Sequence, residues 1–357
     1  MDNYNTPRLY QGRPDEIELI RAANRGTLTK KQTHQLNQLL RSPSDSKDAF
    51  IIKPAGEFLQ DATSRQNGGM LFGDFWYEGE LCILFADTNV GKSILAVQIG
   101  DALSRGRPLP NINMRAQSSI VLYFDFELND QQFSKRYTSA EDGQYQFADT
   151  FYRVVFNPDA ARANRFTSYH EYINNALENM LITTQARIII IDNITCLRTG
   201  TQAAATAIAL MQKLQGLKNK YELSILVLAH TPKRNPAKPI SRNDLQGSKM
   251  LLNFADSAFA IGESYTRADL RYFKQIKQRS GQLTYGADNV YLAEIIKPYN
   301  NLHFSFIGGA NEAEHLLQYT EQQRQSTEER IIKLHQQGLI YGRLLRIPGL
   351  HTLRYTG

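Results

Sequence analysis

Ala86-Asp87-Thr88-Asn89-Val90-Gly91-Lys92-Ser93, written ADTNVGKS, lies between the apolar run Leu81 to Ala86 and the mostly apolar stretch Ser93 to Leu103. The run reads as a buried strand and the stretch as a helix, so the octapeptide is the turn that joins them. A strand feeding a glycine-bearing loop and then a helix aims backbone N–H groups and the positive helix end at one point, which suits a phosphate. Gly91 lets the backbone approach closely, Lys92 supplies a point charge for β and γ phosphates, and the Ser93 hydroxyl can ligate Mg²⁺. The strict form of this loop begins with glycine, and here Ala86 stands first. An ordinary strand-to-helix turn is the competing reading.

Outward from the loop, strand and helix patterns alternate. SSIVLYFDFE (118–127) and Phe151 to Phe156 read as strands. Residues 167–184 carry Tyr169, Tyr172, Ile173, Ala176, Leu177, Met180 and Leu181 on one helical face. Arg187 to Asp192 is a further strand, 203–219 an alanine-rich helix and Leu223 to His230 the next strand. Strands separated by helices of this length predict a mostly parallel sheet covered on both faces, hence an α/β fold. After Asp256 come DSAFAIG, RYFKQIKQ, VYLAEIIKP and LHFSFIG without long helices between them. The last two flank Tyr299-Asn300-Asn301 and predict an antiparallel hairpin.

This pattern divides the chain into a polar, helical accessory segment at 1–68, a core at 69–309, and a linker with a tail at 310–357. The tail reads either as a degenerate helix-turn-helix presenting Arg343, Arg346 and Arg354, or as a subunit-packing segment. Among 357 residues no apolar run approaches the roughly 18 needed to span a bilayer, and the start has no secretory apolar core. A cytoplasmic location without membrane contact is the expectation. Cys82 and Cys196 sit in or beside apolar runs with no CxxC spacing, so both read as buried thiols. A formal charge of +6 permits a polyanionic partner.

Three groups join the loop if the sheet is parallel. Asp192 ends RIIIID at the carboxyl end of a strand, the edge where open α/β sheets bind ligands, and is placed to hold a Mg²⁺ shell. In FDFEL, two-residue alternation predicts Asp125 and Glu127 on one face, with Glu127 at the strand end as a water-orienting base and Asp125 in support. His230 ends its strand at the same edge, as a γ-phosphate sensor or a plain strand-end residue. Beyond it, TPKRNPAKPISRNDLQGSKM carries Lys233, Arg234, Lys238, Arg242 and Lys249 against the single acid Asp244. With three prolines, this reads as a mobile loop able to follow a nucleic-acid backbone.

The order of these pieces over about 70–309 resembles the RecA-like P-loop ATPases, in particular RepA-like and DnaB-like hexameric replicative helicases. The residues that carry the likeness are ADTNVGKS, Glu127, Asp192, His230 and Lys277-Gln278-Arg279. The resemblance implies ATP and Mg²⁺ as ligands, a glutamate on the strand after the loop, and Lys277 and Arg279 reaching the ATP of a neighbouring subunit. It implies a homo-oligomer with ATP between subunits, single-stranded DNA as partner, and a helicase of plasmid or mobile-element replication. A non-motor, ATP-regulated recombination or partition protein is the alternative. Residues 1–68 are short for the helical domain of the DnaB-like branch, which favours a compact RepA-like form.

Overall fold

In the computed structural model Leu81–Ala86 is a six-residue strand with every residue buried, named β3 because two short strands, β1 (Met70–Phe72) and β2 (Trp76–Tyr77), precede it. The structure describes scattered positions between 22 and 35, then 52–64, 69–157, 169–194, 203–232, 234–245 and 249–318. Much of the accessory segment at 1–68 lies outside these residues, as do the tail with Arg343, Arg346 and Arg354, Cys196 and Lys233.

The chain separates into two units, Met1–Asn67 and Gly68–Gly357. Within the first, α1 spans Ala55–Ser64 and carries Glu57 in its first turn. The second holds everything that follows. Its helices are α2 (Lys92–Arg105), α3 (Asp130–Arg136), α4 (Tyr169–Thr184), α5 (Ala203–Tyr221), α6 (Lys249–Phe254) and α7 (Glu312–His315). Besides a small hairpin, β5 (Thr138–Ser139) and β6 (Gly143–Gln144), its further strands are β4 (Val121–Asp125), β7 (Phe151–Val154), β8 (Ile188–Asp192), β9 (Ser224–His230), β10 (Ser257–Glu263), β11 (Leu270–Lys277), β12 (Val290–Ile296) and β13 (His303–Ala310).

A nine-stranded sheet runs β13-β12-β11-β10-β3-β9-β8-β4-β7. From β10 to β7 every neighbour is parallel, and β11, β12 and β13 add on antiparallel. The α/β expectation therefore holds, including the hairpin at Tyr299-Asn300-Asn301, where Ile296 pairs with His303.

Alternation along the buried strands explains why both faces are covered. Cys82, Leu84, Tyr123, Ile190 and Leu226 pack with Leu95, Ile99 and Leu103 of α2 on one face. Leu81, Ile83, Phe85, Ile189, Ile191 and Val227 pack with Leu181 of α4 and with Met211, Leu214 and Leu217 of α5 on the other. Each fully buried Leu or Ile side chain is worth about 1.5–3 kcal/mol relative to exposure, so the sheet's position is set by many such terms acting together. Registry then fixes the edge: Ala86 lies beside His230, and Asp125 beside Asp192, at the carboxyl ends of the parallel strands.

Two sequence expectations change. The strand expected over 118–127 ends at Asp125, so alternation no longer governs Glu127, and Asp125 and Glu127 do not share a face as ladder residues. The loop expected to be mobile is anchored over 234–245. Ile240 and Leu245 are buried, Ser241 and Asp244 cap a 3₁₀ turn reciprocally, and Leu317 N–H donates to Pro236 O at 3.2 Å. A buried ion pair of Lys274 and Glu312 grips Ile240 from both sides, Glu312 accepting its N–H at 2.7 Å and Lys274 donating to its carbonyl at 2.8 Å. Glu312, His315 and Leu316 are buried beyond residue 309.

Candidate functional site

Gly91 caps α2 in the left-handed region at φ 113°, with no side chain to occupy the first-turn amides. A Cβ at this glycine would stand 2.7 Å from Phe304 Cζ and 3.0 Å from Ile295 Cδ1, so packing against β12 and β13 requires glycine independently of any ligand. The Lys92 side chain folds back over the loop, Nζ donating to Ala86 O at 3.0 Å and Asp87 O at 2.9 Å. Burial holds its pKa below the ordinary lysine value, against the attraction of Asp192, Glu127 and Asp87. Val90 offers its carbonyl to Arg271 Nε at 3.2 Å, which braces the loop from β11.

Asp192 is fully buried. Tyr123 Oη donates to its Oδ2 at 2.8 Å, and Oδ1 has no hydrogen-bond partner among the described residues. Its pKa is pushed up to about 6, first by burial and further by Glu127, with the Ser93 hydroxyl favouring the charged form. A buried carboxylate with an orphaned oxygen beside a serine hydroxyl fits Mg²⁺, which binds through one or two protein oxygens and otherwise through phosphates and water. Among the described residues there is no cluster of three or more acidic, His or Cys ligands, so an all-protein cage is not what this edge offers.

Glu127 stands just past β4, its side chain 30% exposed. Its Oε1 meets His230 Nε2 at 2.9 Å and accepts from Asn193 Nδ2, while Asn193 Nδ2 and His230 Nε2 also lie 2.9 Å apart. The His230 hydrogen bond, more than the Lys92 charge, holds the Glu127 pKa below the usual carboxylate range against the effect of burial. A carboxylate whose pKa is lowered and which is ringed by an imidazole and an amide can orient a water molecule. Sequence reasoning reaches Glu127 and His230 but not Asn193. Its signal is adjacency, since it directly follows Asp192 at the ligand-binding edge.

The remaining expected residues divide. Asp87 accepts from Thr231 Oγ1 and pairs with Arg234 Nε at 3.3 Å. Arg234 is thus turned into the loop, its side chain 7% exposed, and is not displayed for nucleic acid as expected; the reason is an acid distant in sequence that supplies its counter-charge. Lys238 and Arg242 are exposed, and Lys249 lies in α6. Lys277 and Arg279 gather at the other edge: Lys277 Nζ donates to Leu252 O at 2.5 Å and Ala255 O at 2.7 Å, and Arg279 Nη1 to Asp256 Oδ1 at 3.3 Å. Asp256 in turn accepts from the N–H of Leu81, the first residue of β3, about 16 Å of strand from Ala86 at ~3.3 Å per residue.

A parallel sheet that presents a lysine-bearing loop, an aspartate and a glutamate at one edge, with antiparallel strands added beyond the loop strand, defines a RecA-like P-loop ATPase. Residues 56–236 match the AAA domain family, slightly more than half of the sequence, and the chain belongs to that family. No curated protein matches it. Among solved structures the chain is similar to the crystal structure of the KaiC-like protein PH0186 from the hyperthermophilic archaeon Pyrococcus horikoshii OT3, at 15% identity and a TM-score of 0.42, over 64% of this chain and 91% of that one. No helix among the described residues is long and apolar enough to cross a membrane.

Proposed function

We propose that the protein hydrolyses ATP as a DNA-dependent, oligomeric motor of the helicase type, with each ATP shared between two subunits. The observation that carries this reading is the separation of the two charged edges. Lys277 and Arg279 are too far from their own loop to serve it, while Arg279 keeps a half-exposed guanidinium at the opposite edge. A head-to-tail contact that brings one edge to the other closes into a ring or propagates as a filament.

In this reading Lys92 and the first amides of α2 receive the β and γ phosphates, and Ser93 with Asp192 hold Mg²⁺. The metal, when bound, neutralises charge that develops on the phosphate oxygens. Lys92 leaves its carbonyl partners to do this, and phosphate replaces them as the acceptor. Glu127 accepts a proton from the attacking water, and Asn193 and His230 hold its carboxylate in place. His230 also joins the edge to the segment that follows it, where exposed Lys238 and Arg242, together with Lys233 and Lys249, are assigned to the DNA backbone. That contact is sequence-independent and weakens steeply with salt. Arg279 and Lys277 of the adjacent subunit stabilise the transferring phosphoryl group.

Mixing tests the shared site. Arg279→Ala and Lys92→Ala proteins should each be inactive, and their mixture should regain part of the ATP turnover, because some interfaces then join an intact loop to an intact finger. No recovery from folded, assembled variants would overturn the shared site. Turnover stimulated by single-stranded DNA, with directional strand displacement, supports the motor; slow turnover indifferent to DNA would replace it with an ATP-regulated binding protein.

A further inference from the structure

Asp125 ends β4 with its side chain wholly withdrawn from solvent, and the hydrolysis described above leaves it without a part. Its Oδ1 accepts the N–H groups of Glu127 at 3.2 Å and Leu128 at 2.9 Å. Its Oδ2 accepts from Arg153 Nε at 2.8 Å. Arg153 comes from β7, where it pairs in register with Tyr123, and directs its other nitrogens at the same turn and the helix after it. Nη2 donates to Leu128 O at 2.7 Å and Nη1 to Asp130 Oδ1 at 2.7 Å, while the guanidinium lies 4.5 Å from the centre of the Phe133 ring.

The turn that carries Glu127 is therefore held on both sides, its N–H groups by Asp125 and its outgoing carbonyl by Arg153. Such a clamp matters because Glu127 lies past the last ladder residue of β4, where the sheet no longer dictates where a side chain points. The planar guanidinium fork is well matched to this turn, because one rigid group meets three acceptors at fixed angles, which a lysine ammonium on a flexible stem does not reproduce.

We propose that Arg153 is a positioning residue for ATP hydrolysis, acting through Asp125 and the Glu127–Leu128 turn to keep the Glu127 carboxylate at the nucleotide edge. This rests on the reading of Glu127 as the water-orienting base. Displacing a reacting group by about 1 Å costs on the order of 10²-fold in rate, and losing the clamp has that scale. Phe126 N–H of the same turn donates to the Asp192 carbonyl at 2.8 Å, so the turn stays tied to β8 without Arg153, and neither Arg153 nor Asp125 bonds to the Lys92 side chain; ATP affinity therefore changes far less than turnover.

The test uses the full chain, with steady-state ATP turnover and affinity for a fluorescent ATP analogue measured for Arg153→Ala, Arg153→Lys, Glu127→Gln and Glu127→Gln/Arg153→Ala. Arg153→Ala should lower kcat on the order of 10²-fold while analogue affinity changes by less than about threefold. Arg153→Lys, which keeps the charge and guards against a folding failure, should fall between wild type and Arg153→Ala. Adding Arg153→Ala to Glu127→Gln should cost nothing further, because the residue being positioned is already gone. Unchanged kcat in both Arg153 variants while Glu127→Gln is inactive would overturn the proposal alone. A further loss in the double variant, or a parallel loss of affinity, would do the same by showing a role outside Glu127. Full turnover in Glu127→Gln would overturn the proposal together with the reading it rests on.

Discussion

The two edges of the parallel sheet carry similar residues in opposite states. At the amino-terminal edge Asp256 is fully engaged: Leu81 N–H donates at 2.9 Å, Lys218 at 2.7 Å and Arg279 at 3.3 Å. At the carboxyl-terminal edge Asp192 is buried more deeply yet keeps an oxygen without a partner among the described residues, and Lys92 is buried against main-chain carbonyls with its pKa depressed. Burying a charge without full compensation is expensive, so the second edge holds free energy that only a ligand of the right charge releases. Asp256 is matched by three donors, whereas among the described residues Asp192 is not matched at Oδ1.

The largest effect that sharpens this contrast is at Glu127. Glu127→Gln keeps the size and the Asn193 neighbour but removes the negative charge, so ATP binding should survive while turnover drops by about 10²–10⁴, the usual contribution of a positioned base. Because the His230 hydrogen bond keeps its pKa low, wild-type kcat should hold level through neutral pH and decline only below the ordinary carboxylate range. Rapid turnover by the Gln variant, or an acid limb near neutrality, would remove Glu127 from the chemistry.

How much of this is legible in the sequence follows from how local each signal is. ADTNVGKS and IIIID announce themselves because a strand end and its polar terminus are adjacent in the chain, and strand alternation with helix-length spacers predicts the parallel sheet. Glu127 is located through an alternation that stops two residues earlier, at Asp125. Arg234 reads as part of a free basic loop because its partner, Asp87, stands 147 residues away in sequence. The same holds for the anchoring of Ile240 by Glu312, and for Arg153, whose meaning depends on β7 lying beside β4. Pairings of this kind exist only once the sheet order is known.

The folded chain raises the Asp192 pKa from 3.8 to about 6, so between those values the native state binds more protons than the unfolded one. Stability without metal therefore falls as pH rises through that window, and the deficit, about 3 kcal/mol from 1.36 kcal/mol per pH unit, is fully present above it. Asp192→Asn keeps an acceptor for Tyr123 and cannot ionise. In EDTA the variant should be more stable than wild type at pH 8 and equal to it near pH 4, and Mg²⁺ with ATP should stabilise wild type more than the variant. A variant less stable than wild type at pH 8 in EDTA would mean that the two edges do not differ as argued.

The smallest effect lies at Lys218, on the satisfied edge. Its ammonium and the Asp256 carboxylate are both largely buried, 14% and 17% exposed, and Asp256 retains two other donors when the lysine is lost. Lys218→Ala should therefore cost about 1 kcal/mol in urea unfolding, above the median for surface pairs and below the 3–5 kcal/mol of a charge left alone in the interior. ATP turnover per folded molecule should not change, since Arg279 keeps both Asp256 and Asn253 O as anchors. A turnover loss as deep as that of Arg279→Ala would show that Asp256 and its cations form one working unit with the finger. The amino-terminal edge would then be as much a part of the catalytic apparatus as the edge that holds Lys92.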